Sequence, residues 1–213
     1  MLLHSDTARQ VADFLLENQA VILRPSPPFR WAGGWLSPVY CDNRIILSDP
    51  AARDLIRDRF ADAIKDKFPK ADAIAGVATA GIPHAALAAD KLRLPMAYVR
   101  AKPKDHGTQK LIEGRLLPGQ RVVVIEDLIS TGKSSLQAID ALKAEDIPVE
   151  GLLAVFTYGF AEAEQAFEKA EVPFYTLTDF PTLVARAIEK GYLKSEHRDI
   201  LNDWRQNPAE WKG

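Results

Sequence analysis

The chain has 213 residues, the length of one domain with room for a small appendage. Its 47% hydrophobic and 26% charged residues are enough for a sizeable core and are typical of a soluble protein. A net charge of −2 excludes a general attraction to nucleic acid or to a membrane surface. The single cysteine, Cys41, excludes an intrachain disulfide and a multi-cysteine metal site.

No targeting or membrane segment is predicted. The sequence has no apolar run of about 18 residues, the length that a membrane-spanning helix needs. Its first residues, Met-Leu-Leu-His-Ser-Asp, lack the basic region and apolar run of a signal peptide. We therefore expect a cytoplasmic protein that binds neither a membrane nor nucleic acid.

The N-terminal part differs in character from the rest of the chain. Apolar residues at helical spacing predict a helix over residues 6–19. Residues 24–44 contain four prolines, two adjacent glycines and four aromatic residues, which predict irregular structure or short strands. We predict that residues 1–48 form an N-terminal helix and a small appended unit, and that residues 49–213 form the core.

Strands and helices alternate in the predicted core. Asp49-Pro50 is typical of a helix start, and this helix is predicted to continue to about residue 68. Strands are predicted over 73–78, 95–100, 121–126, 149–158 and 173–178. Further helices are predicted over 82–92, 132–145, 160–170, 181–190 and 195–206. This alternation predicts an α/β fold with a central, mostly parallel sheet and helices on both faces, and a ligand site at the carboxyl ends of the strands.

The most informative segment is the junction between the third predicted strand and its helix. Residues 122–134 read Val-Val-Val-Ile-Glu-Asp-Leu-Ile-Ser-Thr-Gly-Lys-Ser. Glu126 and Asp127 follow a buried apolar run, where two carboxylates are costly to desolvate unless they bind a polyol or hydrated Mg²⁺. Ser130 to Ser134 then place N–H groups and hydroxyls at a helix N-terminus, which favours an anion. Together they predict a ribose-phosphate ligand.

Other phosphate-binding loops fit this junction less well. A Walker A loop would need a glycine at position 127, which is Asp127. A dinucleotide-binding turn needs three spaced glycines, and only Gly132 is present. The remaining alternative is an ordinary strand–turn–helix connection in which Ser-Thr-Gly caps the helix.

The junction resembles the phosphoribosyl pyrophosphate signature of type I phosphoribosyltransferases. The resemblance implies the fold of that family. It implies that Glu126 and Asp127 hold the ribose 2′- and 3′-hydroxyls, directly or through water and Mg²⁺, which is the implied cofactor. It also implies that the following loop cradles the 5′-phosphate; its residues are Leu128, Ile129, Ser130, Thr131, Gly132, Lys133 and Ser134.

A second motif lies in residues 98–115, which carry several cations, a histidine and few apolar groups. Alone, this composition fits either a solvated surface loop or a lid that brings positive charge to a leaving pyrophosphate. The pattern Arg-x-Lys-x-Lys-x-His-Gly, followed by Ile-Glu-Gly, resembles the catalytic loop of orotate phosphoribosyltransferases. The resemblance implies a homodimer in which Arg100, Lys104 and His106 contact pyrophosphate at the neighbouring subunit's site. Asp105 is expected to assist proton handling.

A third motif, Gly-Val-Ala-Thr-Ala-Gly-Ile-Pro at residues 76–83, resembles the pyrophosphate loop of the same family. In that loop the backbone N–H groups face the leaving group, which assigns pyrophosphate contacts to Thr79 and Ala80. With the motifs above and the one below in the same order as in the family, the resemblance extends over about residues 5–200.

The segment Trp-Ala-Gly-Gly-Trp-Leu-Ser-Pro-Val-Tyr-Cys-Asp-Asn-Arg, residues 31–44, resembles the motif that forms a hood over orotate. We use the name hood for residues 24–44. The resemblance implies that the base is contacted by Tyr40, Ser130 and Tyr158. The four tryptophans are expected to be packing residues, with Trp31 or Trp35 as alternative candidates to cover a planar base.

The hood also departs from the family. It has Gly33 where serine is usual and Leu36 where lysine is usual, and Tyr158 occupies a position where some relatives place an arginine on orotate. Loss of the lysine weakens the expected recognition of the orotate carboxylate and leaves the ribose-phosphate site unchanged.

The predicted function is transfer of the phosphoribosyl group from phosphoribosyl pyrophosphate to orotate, in pyrimidine biosynthesis. Two alternatives stay open: a phosphoribosyltransferase for another base, and a non-enzymatic regulator that senses phosphoribosyl pyrophosphate. The slightly negative charge disfavours a regulator that binds DNA.

Overall fold

The chain folds around a six-stranded sheet. The computed structural model describes residues 1–31, 34–102 and 110–213. The helices are α1 (Ser5–Glu17), α2 (Pro50–Lys67), α3 (Gly81–Leu92), α4 (Lys133–Lys143), α5 (Ala161–Lys169), α6 (Phe180–Glu189) and α7 (Arg198–Gln206). The strands are β1 (Val21–Leu23), β2 (Phe29–Arg30), β3 (Leu36–Ser37), β4 (Val39–Cys41), β5 (Ala73–Val77), β6 (Met96–Val99), β7 (Ile112–Glu113), β8 (Val122–Ile129), β9 (Val149–Thr157) and β10 (Phe174–Asp179).

The central sheet has the strand order β10-β9-β8-β5-β6-β7. All neighbours are parallel except β7, which runs antiparallel to β6. Strand β5 is buried at every position, as expected for a central parallel strand covered on both faces. The predicted mostly parallel sheet is confirmed, whereas β7, two residues long, lies inside a segment predicted to be a loop.

Helices cover both faces of the sheet, as predicted. One apolar core lies under α1, α2, α3, α6 and α7 and includes Phe60, Phe180 and Trp204. The other lies under α4 and α5 and includes Ile139 and Phe167. The side chains of β8 alternate between them, with Val123 and Ile125 in the first core and Val122 and Val124 in the second. Within the described ranges, no helix is both long and apolar enough to span a membrane.

Short antiparallel pairs hold the hood in place. Within it β2 pairs with β3, and its strand β4 pairs with β1, which lies just before the hood. The indole of Trp31 ties the segment together, because its Nε1 donates a 2.9 Å hydrogen bond to the carbonyl of Val39. The same ring packs against Tyr158, at the end of β9, with a centroid distance of 5.3 Å. The hood therefore lies against the carboxyl end of β9.

Strand β8 is longer than the sequence predicts. It continues to Ile129, so Glu126 and Asp127 lie within the strand and not at its end. The reason is that its two neighbouring strands, β5 and β9, pair with β8 over different lengths. The ladder with β5 ends at Ile125, opposite Gly76, but the ladder with β9 continues to Ile129, opposite Thr157. The two acids thus lie in a part of β8 that is still paired with β9 on one side but no longer paired with β5 on the other.

Candidate active site

Glu126 and Asp127 lie where β5 no longer covers one edge of β8. Glu126 is 5% exposed, and Asp127 is half-buried. The Oε1 of Glu126 accepts a 3.1 Å hydrogen bond from the backbone N–H of Asp127, and its Oε2 accepts one of 3.4 Å from the hydroxyl of Ser135 on α4. The chain supplies these neutral donors to Glu126, and no salt bridge to either acid is found among the described residues.

The adjacent carboxyls perturb each other. Burial raises the pKa of Glu126 well above its ordinary value, and the neighbouring Asp127 carboxylate raises that pKa further. Burial also raises the pKa of Asp127. A buried acid pair without a cation is an electrostatic penalty that hydroxyl donors or a bound cation would relieve. The arrangement therefore favours binding of a polyol or a metal-bound substrate.

The loop between β5 and α3 closes the open edge beside Glu126. A Cβ at Gly81 would lie 2.5 Å from the carbonyl oxygen of Ile125 and 3.4 Å from Oε1 of Glu126, so only glycine permits this approach. The peptide bond between Ala78 and Thr79 is cis. In the described chain, no acceptor receives a hydrogen bond from the backbone N–H of Thr79 or Ala80. These donors, followed by a helix N-terminus, are suited to an anion next to the acid pair.

A second set of backbone donors lies between β8 and α4. Gly132 has a φ of +77°, and a Cβ there would come within 2.8 Å of the Phe167 ring. The backbone N–H groups of Thr131 and Gly132 find no acceptor in the part of the chain that the structure describes. The first turn of α4 adds N–H groups that lack intrahelical acceptors. This turn can bind a phosphate.

A cavity of about 320 Å³ lies between the hood and the carboxyl ends of the sheet. Its lining comprises Arg30, Trp31, Tyr40, Cys41, Leu128, Ser130 and Tyr158. The three residues predicted to contact the base therefore line one cavity. Leu128 and Ser130 follow the acid pair on the same segment, so the cavity adjoins the acids.

The walls of this cavity are mostly neutral. Burial raises the pKa of the Cys41 thiol and of the Tyr158 phenol well above their ordinary values, so both groups stay protonated near neutral pH. The thiol donates a 3.3 Å hydrogen bond to the amide oxygen of Asn43. A flat apolar wall with a few polar groups suits a small planar ring.

Comparison with known proteins assigns this arrangement to a family. Residues 42–165 match the phosphoribosyl transferase domain. The chain is 54% identical to the orotate phosphoribosyltransferase of Bacillus subtilis, over 93% of this chain and 92% of that one. It is 50% identical to the enzyme of the same name from Cytophaga hutchinsonii, over 96% and 98% of the two chains. The chain belongs to the orotate phosphoribosyltransferase family.

A solved structure supports the same assignment. The orotate phosphoribosyltransferase of Aeropyrum pernix superimposes with a TM-score of 0.75 at 29% identity, covering 86% of this chain and 99% of that one. The type I phosphoribosyltransferase fold predicted from the sequence is thus confirmed. The acid pair, the two backbone-donor loops and the hood cavity occupy one edge of this fold.

The predicted lid residues are only partly described. Arg100 follows β6, where its backbone N–H donates a 2.9 Å hydrogen bond to the carbonyl of Leu111. Its guanidinium lies 3.5 Å from the carboxylate of Glu113 on β7. Lys104, Asp105 and His106 lie outside the described residues, and their roles stay predictions.

Two residues near the site were not assigned a role from the sequence. Asn43 is fully buried, and its Nδ2 donates a 2.8 Å hydrogen bond to the carbonyl of Asp127. Arg30 lines the base cavity from β2. The position of Asn43 in the hood motif was a sequence feature that could have indicated a role at the site. Arg30 offered no signal, because nothing in the sequence shows which hood residue faces the cavity.

Proposed function

We propose that this family member catalyses phosphoribosyl transfer to orotate. The new bond joins N1 of orotate to C1 of the ribose, the C1–O bond breaks, and pyrophosphate leaves with its electron pair. The products are orotidine 5′-monophosphate and pyrophosphate, and the reaction belongs to pyrimidine biosynthesis. The observation that carries this proposal is the acid pair of β8. Among the described residues, it lies between two turns with unpaired backbone N–H donors and beside a cavity whose flat wall suits a planar base.

Each part of the site has a distinct task. Glu126 and Asp127 accept hydrogen bonds from the ribose hydroxyls. The turn Ser130–Ser134 holds the 5′-phosphate through its N–H groups and hydroxyls, and Thr79 and Ala80 hold the pyrophosphate. Holding both ends of the substrate positions C1 between leaving group and base, which lowers the entropic part of the barrier.

Tyr40, Ser130 and Tyr158 form the base site in this proposal. The Tyr158 ring is 2% exposed and packs against Trp31, so it is a rigid wall for the pyrimidine. Tyr40 is 43% exposed and stands at the opening. Deprotonated orotate already carries negative charge at N1, so the attack needs no strong protein base.

Mg²⁺ suits the acid pair. It binds through oxygen atoms, typically one or two carboxylates together with substrate phosphates and water. Within the described residues, no group of three or more His, Cys, Asp and Glu side chains could hold a metal. We therefore place the ion on phosphoribosyl pyrophosphate, with Glu126 and Asp127 contacting it directly or through water. When bound, it neutralises charge on the departing pyrophosphate.

Assembly and location complete the proposal. The protein works as a cytoplasmic homodimer in which Arg100, Lys104 and His106 act at the neighbouring site, while Asp105 assists proton handling. Residues 1–48 cover the base, and residues 49–213 bind phosphoribosyl pyrophosphate. The resemblance of the loop at residues 98–115 supports the shared site.

A competition assay tests the reaction and its base together. Purified protein is mixed with phosphoribosyl pyrophosphate, Mg²⁺ and equal amounts of orotate, uracil and the purine bases. We expect orotate to be consumed first, with pyrophosphate released in equal amount. Faster consumption of uracil or a purine would overturn the substrate, and no pyrophosphate release with any base would favour a regulator.

A further inference from the structure

Arg30 places a cation at the base cavity. Among the cavity-lining residues that the structure describes, it alone is charged. Its Nη1 donates a 3.1 Å hydrogen bond to the carbonyl of Gly34, which lies shortly before β3. That bond uses one of five N–H donors, so the rest of the guanidinium is available to a ligand.

The position of Arg30 in the hood explains how the cavity acquires this charge. Arg30 and Leu36 are direct partners in the β2–β3 ladder, so their side chains project from the same face of the hairpin. Directly opposed residues have Cβ atoms about 5 Å apart. A basic side chain at either position would therefore reach the same region. In this chain the apolar residue is on β3 and the basic one on β2.

The substrate supplies a matching anion. Orotate differs from uracil by one carboxylate, and the planar fork of an arginine binds a carboxylate through two parallel hydrogen bonds. The other polar side-chain groups of the lining are hydroxyls, a thiol and the indole N–H of Trp31, which carry no charge. A cation is the group best suited to separate orotate from uracil.

We propose that Arg30 is the residue that selects orotate, by binding its carboxylate, in place of a basic residue at position 36. The proposal rests on the proposed function, because it needs orotate as the substrate. It adds a residue of β2 to the base site and assigns the discrimination against uracil to one guanidinium.

Arg30→Gln tests the proposal, since glutamine keeps polarity and removes the charge. We expect the KM for orotate to rise about ten- to a hundredfold, the loss expected for a hydrogen bond to a charged group. The KM for phosphoribosyl pyrophosphate and the kcat/KM for uracil should stay unchanged. Arg198→Gln, which removes the same charge from an exposed position on α7, should leave all these constants unchanged.

A rescue across the hairpin separates recognition from folding. In the double variant Arg30→Gln/Leu36→Lys, the positive charge returns on the opposite strand. The logarithm of the KM for orotate should then return at least halfway from the Arg30→Gln value to the wild-type value. Binding of orotidine 5′-monophosphate and uridine 5′-monophosphate, titrated by calorimetry, gives a readout without turnover. Arg30→Gln should weaken the binding of orotidine 5′-monophosphate and leave the binding of uridine 5′-monophosphate unchanged.

The possible outcomes are distinct. If wild-type protein does not consume orotate, the proposed function fails, whatever Arg30 does. If wild-type protein consumes orotate and Arg30→Gln has the same KM, Arg30 does not select the base. Equal weakening of both nucleotides, or a double variant no better than Arg30→Gln, would mean that Arg30 only supports the hood, and would also overturn the inference.

Discussion

The side-chain amide of Asn43 donates a 2.8 Å hydrogen bond to the backbone carbonyl of Asp127. Asn43 is fully buried and begins a 3₁₀ helix, Asn43–Ser48, at the end of the hood. Its amide oxygen accepts from the thiol of Cys41, which lines the base cavity. One buried amide therefore links the wall of the base cavity to the acid pair of β8.

Replacing this amide should loosen the link. Asn43→Ala leaves the Asp127 carbonyl without its side-chain donor, which should cost about 1–3 kcal/mol in the free energy of unfolding. The KM for orotate should also rise, because the hood loses a hydrogen bond that holds it against β8. Urea denaturation measures the free energy of unfolding, and steady-state kinetics measure the KM for orotate. Asn207→Ala removes an exposed hydrogen bond to Glu210 and should change neither by a comparable amount.

The acid pair should be needed for turnover. Asp127→Asn keeps the shape of the side chain and removes the charge that attracts hydroxyl donors and hydrated Mg²⁺. We expect a loss of roughly 2–4 kcal/mol of transition-state stabilisation, measured as kcat/KM for phosphoribosyl pyrophosphate. Glu126→Gln should behave similarly. Wild-type rates in both variants would contradict the role given to these acids.

Stability should depend on pH through Glu126. Because burial and Asp127 raise its pKa above the ordinary value of 4.5, the folded protein holds a proton that the unfolded chain releases. The contribution of Glu126 to the free energy of unfolding is therefore fully present below pH 4.5. It is lost as the pH rises toward the raised pKa. Glu126→Gln removes this dependence, so its stability relative to wild type should increase with pH.

Urea denaturation in the absence of ligands, at about pH 5 and about pH 8, measures this effect. The stability gain of Glu126→Gln should be larger at the higher pH. Glu168→Gln changes an exposed glutamate on α5 and is the matched control. A gain that is equal at both pH values would show that the Glu126 carboxyl is not perturbed by folding.

Gly81→Ala should damage the site through a steric clash. The added Cβ would lie 2.5 Å from the carbonyl oxygen of Ile125, so the loop before α3 must move away from β8. We expect about 1–3 kcal/mol of destabilisation and a fall in affinity for phosphoribosyl pyrophosphate. Gly119→Ala is the comparison, since it has a positive φ of 84° but no atom near the added Cβ. It should leave that affinity unchanged.

Mixed dimers test whether sites are shared. Lys104→Ala and Asp127→Asn chains should each be inactive alone, since one lacks a lid cation and the other lacks an acid. A hybrid dimer would contain one site with both intact parts, so activity should return on mixing. If subunit exchange is demonstrated and activity stays absent, the loop acts on the site of its own chain.

Much of the core was predictable because its signals are local. Continuous buried strands such as β5, and helix starts such as Asp49-Pro50, are specified by neighbouring residues, and the structure contains both. The hood was harder, because its two-residue strands are too short for a periodic pattern. The same holds for β7, which exists only because β6 offers it an edge.

The alternation of strands and helices, and the junction of acids, hydroxyls and glycine that points to the family, can be read from the amino-acid sequence. These features depend on residues close in the chain. The three-dimensional fold was needed to show that β5 ends before β8 does, which places Gly81 beside Glu126. It also decided that Asn43 reaches Asp127 and that Arg30 joins the base cavity. Such contacts join residues distant in sequence, and their geometry follows from how the hood packs on the sheet, which no local pattern encodes.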